Sequence, residues 1–64
     1  MLIINGKDES GFIGKSVHEF ACQKGFNKEY MAVEINGEIL PRDKFDSKFN
    51  DGDRVEIVCF VGGG

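Results

Sequence analysis

The sequence predicts an α+β fold in which a mixed β-sheet packs on one main helix. Three features predict it: two Asn-Gly dipeptides that each join short β-rich segments, one amphipathic segment with a helix-capping signal, and a strongly alternating segment near the C-terminus. The chain has 64 residues. A domain of this size buries only about 60% of the surface that its unfolded form exposes. We therefore expect one hydrophobic core and little area for an active-site cleft.

The first hairpin is predicted at the N-terminus. Residues 1–4 are apolar and run into Asn5-Gly6, the dipeptide that best tolerates positive φ in a tight turn. A second strand is predicted at residues 7–12. Gly11 and the charged residues lower its β propensity, so we expect it at an edge of the sheet.

A short helix is predicted from residue 17 to residue 24. Ser16 and Glu19 have the spacing of a capping box, in which each side chain bonds to a free backbone N–H group of the other residue. Gly25 suits the left-handed residue that ends a helix. One face of the helix carries Val17, Phe20, Ala21 and the stem of Lys24.

A second hairpin follows the helix. Residues 31–35 alternate around Glu34, Asn36-Gly37 repeats the turn signal, and the return strand covers residues 38–40. Phe45 and Phe49 are expected to pin a short helical turn of residues 43–50 against the core. Asp51-Gly52 then marks another turn.

The strongest strand signal covers residues 54–61. Its alternation directs Val55, Ile57 and Cys59 toward the helix, so we expect Cys59 to be buried in the core. The opposite face carries Glu56, Val58 and Phe60. With this strand beside the first strand in the middle of the sheet, the element order ββ-α-ββ-β indicates the β-grasp architecture.

Three glycines, Gly62, Gly63 and Gly64, follow the last strand. We predict a β-grasp domain of residues 1–61 and a flexible tail of residues 62–64, because glycine cannot pack a core and is costly to order. Terminal glycines can be a frayed end. These follow a strand without a polar linker, which favours a function for the end of the chain.

The chemistry available to such a tail is acyl activation. A tail without side chains extends by about 3.3 Å per residue and can enter a narrow channel, bringing the carboxylate of Gly64 to a nucleotide. Attack of this carboxylate on the α-phosphate of ATP would give an acyl-adenylate, from which a sulfur nucleophile could displace AMP. The ATP must be bound by a partner, because the Gly14-Lys15-Ser16 segment lacks the first glycine of a phosphate-binding loop and has Glu9 in its place. We therefore predict a carrier that binds no cofactor and is not itself an enzyme.

These motifs resemble the ThiS-type sulfur carriers of thiamine thiazole synthesis, which are relatives of ubiquitin. The resemblance covers nearly the whole chain and is carried by residues 5–7, 16–20, 32–42, 51–58 and 62–64. It implies that a ThiF-like adenylyltransferase adenylates Gly64 and that sulfur arrives through a cysteine-desulfurase relay. The resulting thiocarboxylate would supply sulfur to thiazole synthase. A molybdopterin synthase small subunit, a ubiquitin-like covalent modifier and a plain interaction module remain as alternatives.

A docking patch is predicted on the sheet face away from the helix. If the neighbours of Ile3 point into the core, Ile3 faces the side that carries Val58 and Phe60. We expect this surface to bind the activating enzyme and the sulfur acceptor, with ordinary surface apolarity as an equal alternative. The predicted patch consists of Ile3, Val58 and Phe60, with Glu56 and either Arg54 or Arg42 at its rim.

The composition argues against a nucleic-acid-binding protein, a membrane protein and a secreted protein. The 11 acidic residues outnumber the 8 basic ones, and the basic residues form no cluster, so we expect no nucleic-acid partner. The apolar runs are too short to span a bilayer, and the N-terminus lacks a signal-peptide pattern. We therefore expect no membrane association and a cytoplasmic location.

The cysteines and the histidine are expected to be unremarkable. Cys22 and Cys59 should be free thiols that pack as small buried hydrophobes. His18 should face solvent, without a nearby cysteine or serine to activate. A single histidine and the absence of a Cys-x-x-Cys motif give no ligand set for zinc.

Overall fold

The computed structural model describes residues 1–60 and shows a five-stranded mixed sheet with one α-helix. The helix, α1, spans Val17–Lys24. The strands are β1 (Ile3–Ile4), β2 (Lys7–Asp8), β3 (Met31–Ile35), β4 (Glu38–Leu40) and β5 (Arg54–Cys59). Their order is β2-β1-β5-β3-β4, with β5 parallel to β1 and antiparallel to β3. The predicted architecture, with the last strand in the middle of the sheet, is confirmed. The predicted domain boundary after residue 61 lies outside the described residues.

One core joins α1 to the inner face of the sheet. Phe20 lies at the centre of an aromatic cluster within this core. Its ring centroid is 4.8 Å from that of Phe12 and 6.0 Å from that of Phe49, both in edge-to-face geometry. The buried apolar residues are Leu2, Ile4, Val17, Phe20, Ala21, Met31, Val33, Phe45, Phe49, Val55 and Ile57. Every strand that flanks the centre of the sheet contributes to this core, so the sheet and the helix stabilise each other.

The predicted helix is confirmed in its bounds and in its caps. The Ser16 Oγ accepts a hydrogen bond from the Glu19 N–H at 3.0 Å, and the Glu19 Oε1 accepts one from the Ser16 N–H at 3.0 Å. Gly25 closes the helix in the left-handed region at φ 79°. The ammonium group of Lys24 lies 5.8 Å from the Phe12 ring centroid, and its stem extends the apolar face as expected.

Both Asn-Gly turns are confirmed, and their asparagine side chains hold β5. Asn5 and Asn36 each adopt φ 52°, followed by a glycine with positive φ, as a type I′ turn requires. The Asn5 side-chain amide donates to the Ile57 carbonyl at 3.1 Å, and its Oδ1 accepts from the Ile57 N–H at 2.7 Å. The Asn36 Oδ1 accepts from the Arg54 N–H at 3.0 Å. The two hairpins therefore fix the central strand from opposite sides.

The second strand is shorter than predicted, although its place at the sheet edge is confirmed. Instead of continuing to residue 12, the chain leaves β2 after Asp8 and forms a 3₁₀ turn at Ser10–Phe12. The Asp8 carboxylate accepts a hydrogen bond from the Ser10 N–H at 3.0 Å, and the Ser10 Oγ accepts one from the Leu2 N–H at 3.2 Å. These local bonds replace the ladder that a longer strand would form.

The segment after β4 also departs in part from the prediction. Its 3₁₀ turn lies at Arg42–Lys44, before most of the expected stretch, and Phe45 forms its C-cap. Phe45 and Phe49 are both buried, as expected, but they do not share one helical turn. The turn at Asp51-Gly52 is present, with Gly52 at φ 95°.

The first testable consequence concerns Asn5. We expect Asn5→Asp to lower the free energy of unfolding by about 1–3 kcal/mol, because the carboxylate has no hydrogen to donate to the Ile57 carbonyl. Aspartate tolerates positive φ, so the turn itself is retained. Urea denaturation followed by circular dichroism measures the change. The matched control is Gln23→Glu on an exposed helix position, which we expect to alter stability by less than about 0.5 kcal/mol. Equal effects of the two changes would contradict the structural role of Asn5.

The capping box predicts a pH dependence. The Ser16 N–H donates to the Glu19 carboxylate and holds the pKa of that carboxyl below its usual value. Because the pKa is lower in the folded state, Glu19 stabilises the fold at neutral pH, and this contribution is lost as pH falls below the usual glutamate range of about 4.3. In Glu19→Gln, which can still accept the cap hydrogen bond, unfolding free energy should depend less on pH in this acidic range. Glu38→Gln is the control, and an identical pH profile for wild type and Glu19→Gln would refute the interpretation.

Candidate functional site

The central strand β5 carries the chain toward its C-terminal glycines. Along the β1 edge, the Asn5 N–H donates to the Val55 carbonyl at 2.9 Å. Along the β3 edge, β5 pairs through five positions that end with Cys59 opposite Met31. The Phe60 N–H then donates to the Tyr30 carbonyl at 2.9 Å. The chain is therefore held by backbone hydrogen bonds up to Phe60. The predicted tail, Gly62, Gly63 and Gly64, lies outside the described residues.

An exposed surface lies on the outer face of the sheet, beside the end of β5. Val58 stands opposite Ala32 on β3, and Ile39 on β4 stands opposite Glu34. Ile39, Val58 and Phe60 expose 68%, 58% and 56% of their surface. A shallow groove of about 330 Å³ elsewhere on the molecule is larger, but the groove on this face, about 190 Å³, is the more apolar one. We call it the sheet groove, and its lining residues are Ala32, Val33, Glu34, Ile39, Glu56 and Val58.

The structure brings together only part of the predicted docking patch. Val58, Phe60, Glu56 and Arg54 occupy the outer-face positions of β5 and the residue after it. Ile3 pairs with Arg54, four positions from Val58, which corresponds to about 13 Å along the strand. Ile3 therefore lies on the outer face of the sheet, as predicted, but it does not adjoin Val58 and Phe60 as the predicted patch requires.

Arg42 is also displaced from this patch. It lines the larger groove of about 330 Å³ together with His18 and Lys28, next to the start of the helix. Its predicted place at the rim is wrong, because the 3₁₀ turn at Arg42–Lys44 leads into Phe45, whose carbonyl accepts a hydrogen bond from the His18 N–H of the helix at 2.9 Å.

Sequence reasoning missed Ala32 and Ile39 as members of the surface. It paired the outer face of β5 with β1, but β1 contains only two residues, whereas β3 flanks β5 over five positions. The alternation of residues 31–35 and 38–40 contained the signal. Once β3 is placed beside β5, Ala32 and Ile39 must lie on the same face as Val58.

The two cysteines are free thiols, as predicted, but their predicted burial is wrong because both are exposed. Cys59 is in phase with Val55 and Ile57, yet the buried core along β5 ends at Ile57. Cys22 follows the buried Ala21, and one helical step of about 100° turns its side chain away from the apolar face.

His18 faces solvent as expected, but it is not isolated. Its Nε2 lies 3.7 Å from the Cys22 Sγ, one helical turn away, so the expectation of no cysteine near it is wrong. Its Nδ1 lies 2.7 Å from the Lys28 Nζ. An ammonium group can only donate, so Nδ1 is the acceptor of this contact.

Within residues 1–60, no group of three or more histidine, cysteine, aspartate or glutamate side chains is arranged to hold a metal ion. No helix in this part of the chain is long and apolar enough to cross a membrane.

A mixed five-stranded sheet with its last strand in the centre and one helix packed on its inner face defines the ubiquitin-like β-grasp class. Solved structures place the chain within that class. It is similar to the crystal structure of the thiamine biosynthesis protein ThiS from Geobacter metallireducens, with a TM-score of 0.71 and 40% identity over 98% of this chain and 97% of that one. The solution NMR structure of a thiamine biosynthesis protein from Geobacter metallireducens gives a TM-score of 0.73 and 39% identity over 98% and 86% of the two chains.

Sequence comparisons identify the family. The model of the ThiS family matches residues 2–64, so this chain belongs to the ThiS family. A thiazole synthase of Paramagnetospirillum magneticum is 38% identical over an alignment of 64 positions, which covers 98% of this chain and 20% of that protein. The uncharacterized protein ycf40 of Porphyra purpurea is 52% identical over 40 residues, or 61% of this chain and 56% of that protein. The chain thus spans between a fifth and just over half of the length of these curated relatives.

The exposure of the cysteines gives a direct test. We expect both Cys22 and Cys59 to react with N-ethylmaleimide in the native protein, because neither side chain is enclosed by the core. Intact mass spectrometry should show two additions under conditions in which the protein remains folded. Cys22→Ser and Cys59→Ser should each show one. A thiol that reacts only after unfolding would contradict its placement.

Proposed function

We propose that this chain is a sulfur carrier protein of thiamine thiazole synthesis and that it carries sulfur on the C-terminal carboxylate of Gly64. The observation that carries the proposal is the ThiS family match, which runs through the terminal glycines to residue 64. The geometry of β5 supports it, because the central strand is bonded along both edges and leads directly toward those glycines. Because backbone hydrogen bonds hold β5 on both sides, the glycine tail would start from a fixed position on the sheet.

The proposed reaction begins with activation by a ThiF-like adenylyltransferase. The Gly64 carboxylate attacks the α-phosphate of ATP, pyrophosphate leaves, and an acyl-adenylate forms. A persulfide delivered by a cysteine-desulfurase relay then attacks the acyl carbon and displaces AMP, which gives an acyl disulfide. A second thiol of the relay attacks the other sulfur of that disulfide, becomes oxidised to a disulfide itself, and releases the thiocarboxylate. ATP belongs to the adenylyltransferase in this scheme, and the carrier is a co-substrate that is regenerated in each cycle.

The contribution of the carrier is geometric. Residues 61–64 can span at most about 13 Å, so the acyl carbon must react close to the end of β5. Phe60 is the last residue whose backbone bond to the sheet is described, and it therefore sets the point from which the tail reaches into the partner. Terminal glycines present no Cβ atom to a narrow channel, which favours deep entry of the carboxylate.

Thiazole synthase is the sulfur acceptor in this proposal. Support comes from the Paramagnetospirillum magneticum relative, which bears that name and of which this chain matches only a fifth. A segment similar to this carrier is thus joined to a much longer remainder in one polypeptide. Covalent linkage raises the effective concentration of two interacting parts. The joined arrangement therefore supports an interaction between the carrier-like segment and the rest of that thiazole synthase.

The decisive test is intact mass measurement after incubation of the full chain with the adenylyltransferase, ATP and a sulfur source. We expect one oxygen of the C-terminus to be replaced by sulfur. Deletion of Gly63 and Gly64 should abolish this change without altering the thermal midpoint, because the core is built from residues of the described domain. The control is Gly11→Ala, whose added Cβ meets no atom within 4 Å and which should retain sulfur uptake.

Two results would overturn the proposal. If the deletion variant still acquires sulfur, Gly64 is not the reacting residue. If the wild-type carboxylate is instead found joined to a lysine of another protein without sulfur, the chain is a covalent modifier.

A further inference from the structure

The sheet groove contains two carboxylates that face each other across neighbouring strands. Glu34 on β3 is directly opposite Glu56 on β5, and Ala32 is opposite Val58 two positions along. Like charges in opposite positions destabilise a sheet. Glu34 is partly buried, and Glu56 is exposed. The fold itself gains nothing from this pair.

No basic group compensates these carboxylates in the part of the chain that the structure describes. Within residues 1–60, the ion pairs join Met1 to Asp51 and Lys24 to Glu9, and the side-chain hydrogen bonds include neither Glu34 nor Glu56. Arg54 lies on the same face of β5, two positions before Glu56, but it forms no ion pair within these residues. The negative charge of the groove is therefore available to a partner.

The surroundings of the pair define the chemistry of that partner. Ile39 and Val58 border the carboxylates with exposed apolar surface. A guanidinium group suits two neighbouring carboxylates, because its five N–H donors lie in one rigid plane and its charge does not titrate. The methylene stem of an arginine can cover apolar surface at the same time. Charge and shape together favour an arginine flanked by apolar residues over an anionic ligand.

The position of the sheet groove, near the end of β5, indicates which partner protein would supply the arginine. Val58 is two residues before Phe60, the last residue that the structure describes. Because residues 61–64 reach at most about 13 Å, a protein that binds Gly64 must also lie against the end of β5. We propose that the activating partner inserts an arginine side chain, bordered by apolar residues, between Glu34 and Glu56. This inference rests on the proposed function.

The experiment compares the full chain with the variant Glu34→Gln/Glu56→Gln in binding to the adenylyltransferase that modifies it. Isothermal titration calorimetry at low and high ionic strength should show affinity reduced about tenfold or more in the variant, together with a weaker dependence on salt. Its thermal midpoint should rise, since the repulsion is removed. At saturating enzyme, the variant should still acquire sulfur.

Glu38→Gln is the matched control. Glu38 is on β4 opposite Ile35, and the alternation of the strand places its side chain on the other face from Ile39. It should bind the enzyme as the wild type does. Phenylglyoxal, which modifies arginine, adds an independent readout: the wild-type carrier should protect one arginine of the enzyme, and the double variant should not.

The outcomes separate the two proposals. If wild type and both variants bind equally while Gly64 still gains sulfur, the docking inference is wrong and the carrier function stands. Protection of a lysine instead of an arginine would overturn the assigned side chain. If the wild-type chain gains no sulfur at all, the carrier function fails, and the docking inference fails with it.

Discussion

The hydrogen bonding of β5 along both edges is the constraint on which the rest of the structure depends. The strand lies between β1 and β3, and its inward residues Val55 and Ile57 complete the core beneath the helix. The side chains of Asn5 and Asn36, in the turns of the two hairpins, form additional hydrogen bonds to the β5 backbone. The end of the chain that would carry the chemistry is thus attached to the best-supported strand of the sheet.

The two faces of the sheet serve different needs. The inner face is covered by α1 and gives a small protein its single core. The outer face leaves Ile39 and Val58 in water and sets Glu34 against Glu56, which stability alone would not select. In the proposed scheme, the activating partner approaches this part of the outer face. The inner face then supplies the stability, and the outer face carries the proposed docking surface.

Local signals made much of the fold predictable from the sequence. The capping box of Ser16 and Glu19 involves residues three apart, and each Asn-Gly turn depends on two adjacent residues, so neighbouring chemistry fixes both. Alternation then correctly placed Val55 and Ile57 of β5 in the core. The family resemblance supplied the expected role of Gly64, which composition and periodicity do not specify.

The errors concern contacts between residues that are distant in sequence or that lie where the core ends. The neighbours of Val58 depend on β3, some 26 residues earlier, and the sequence alone does not show that β1 is too short to reach it. The burial of Cys59 depends on how far the core extends along β5, which periodicity does not reveal. The length of β2 was decided by the bond between Asp8 and Ser10, a local competition that strand propensity does not measure.

The position of β5 also has a consequence for synthesis on the ribosome. Pairing of Ile3 with Arg54 joins the first strand to the last, so the sheet lacks its middle until nearly all of the described chain has left the exit tunnel. The nascent chain up to that point can form α1 and two separate hairpins, but neither hairpin has a neighbouring strand to complete a core. A chain that is released before β5 has been made therefore lacks the finished sheet, whatever helix and hairpins it has formed.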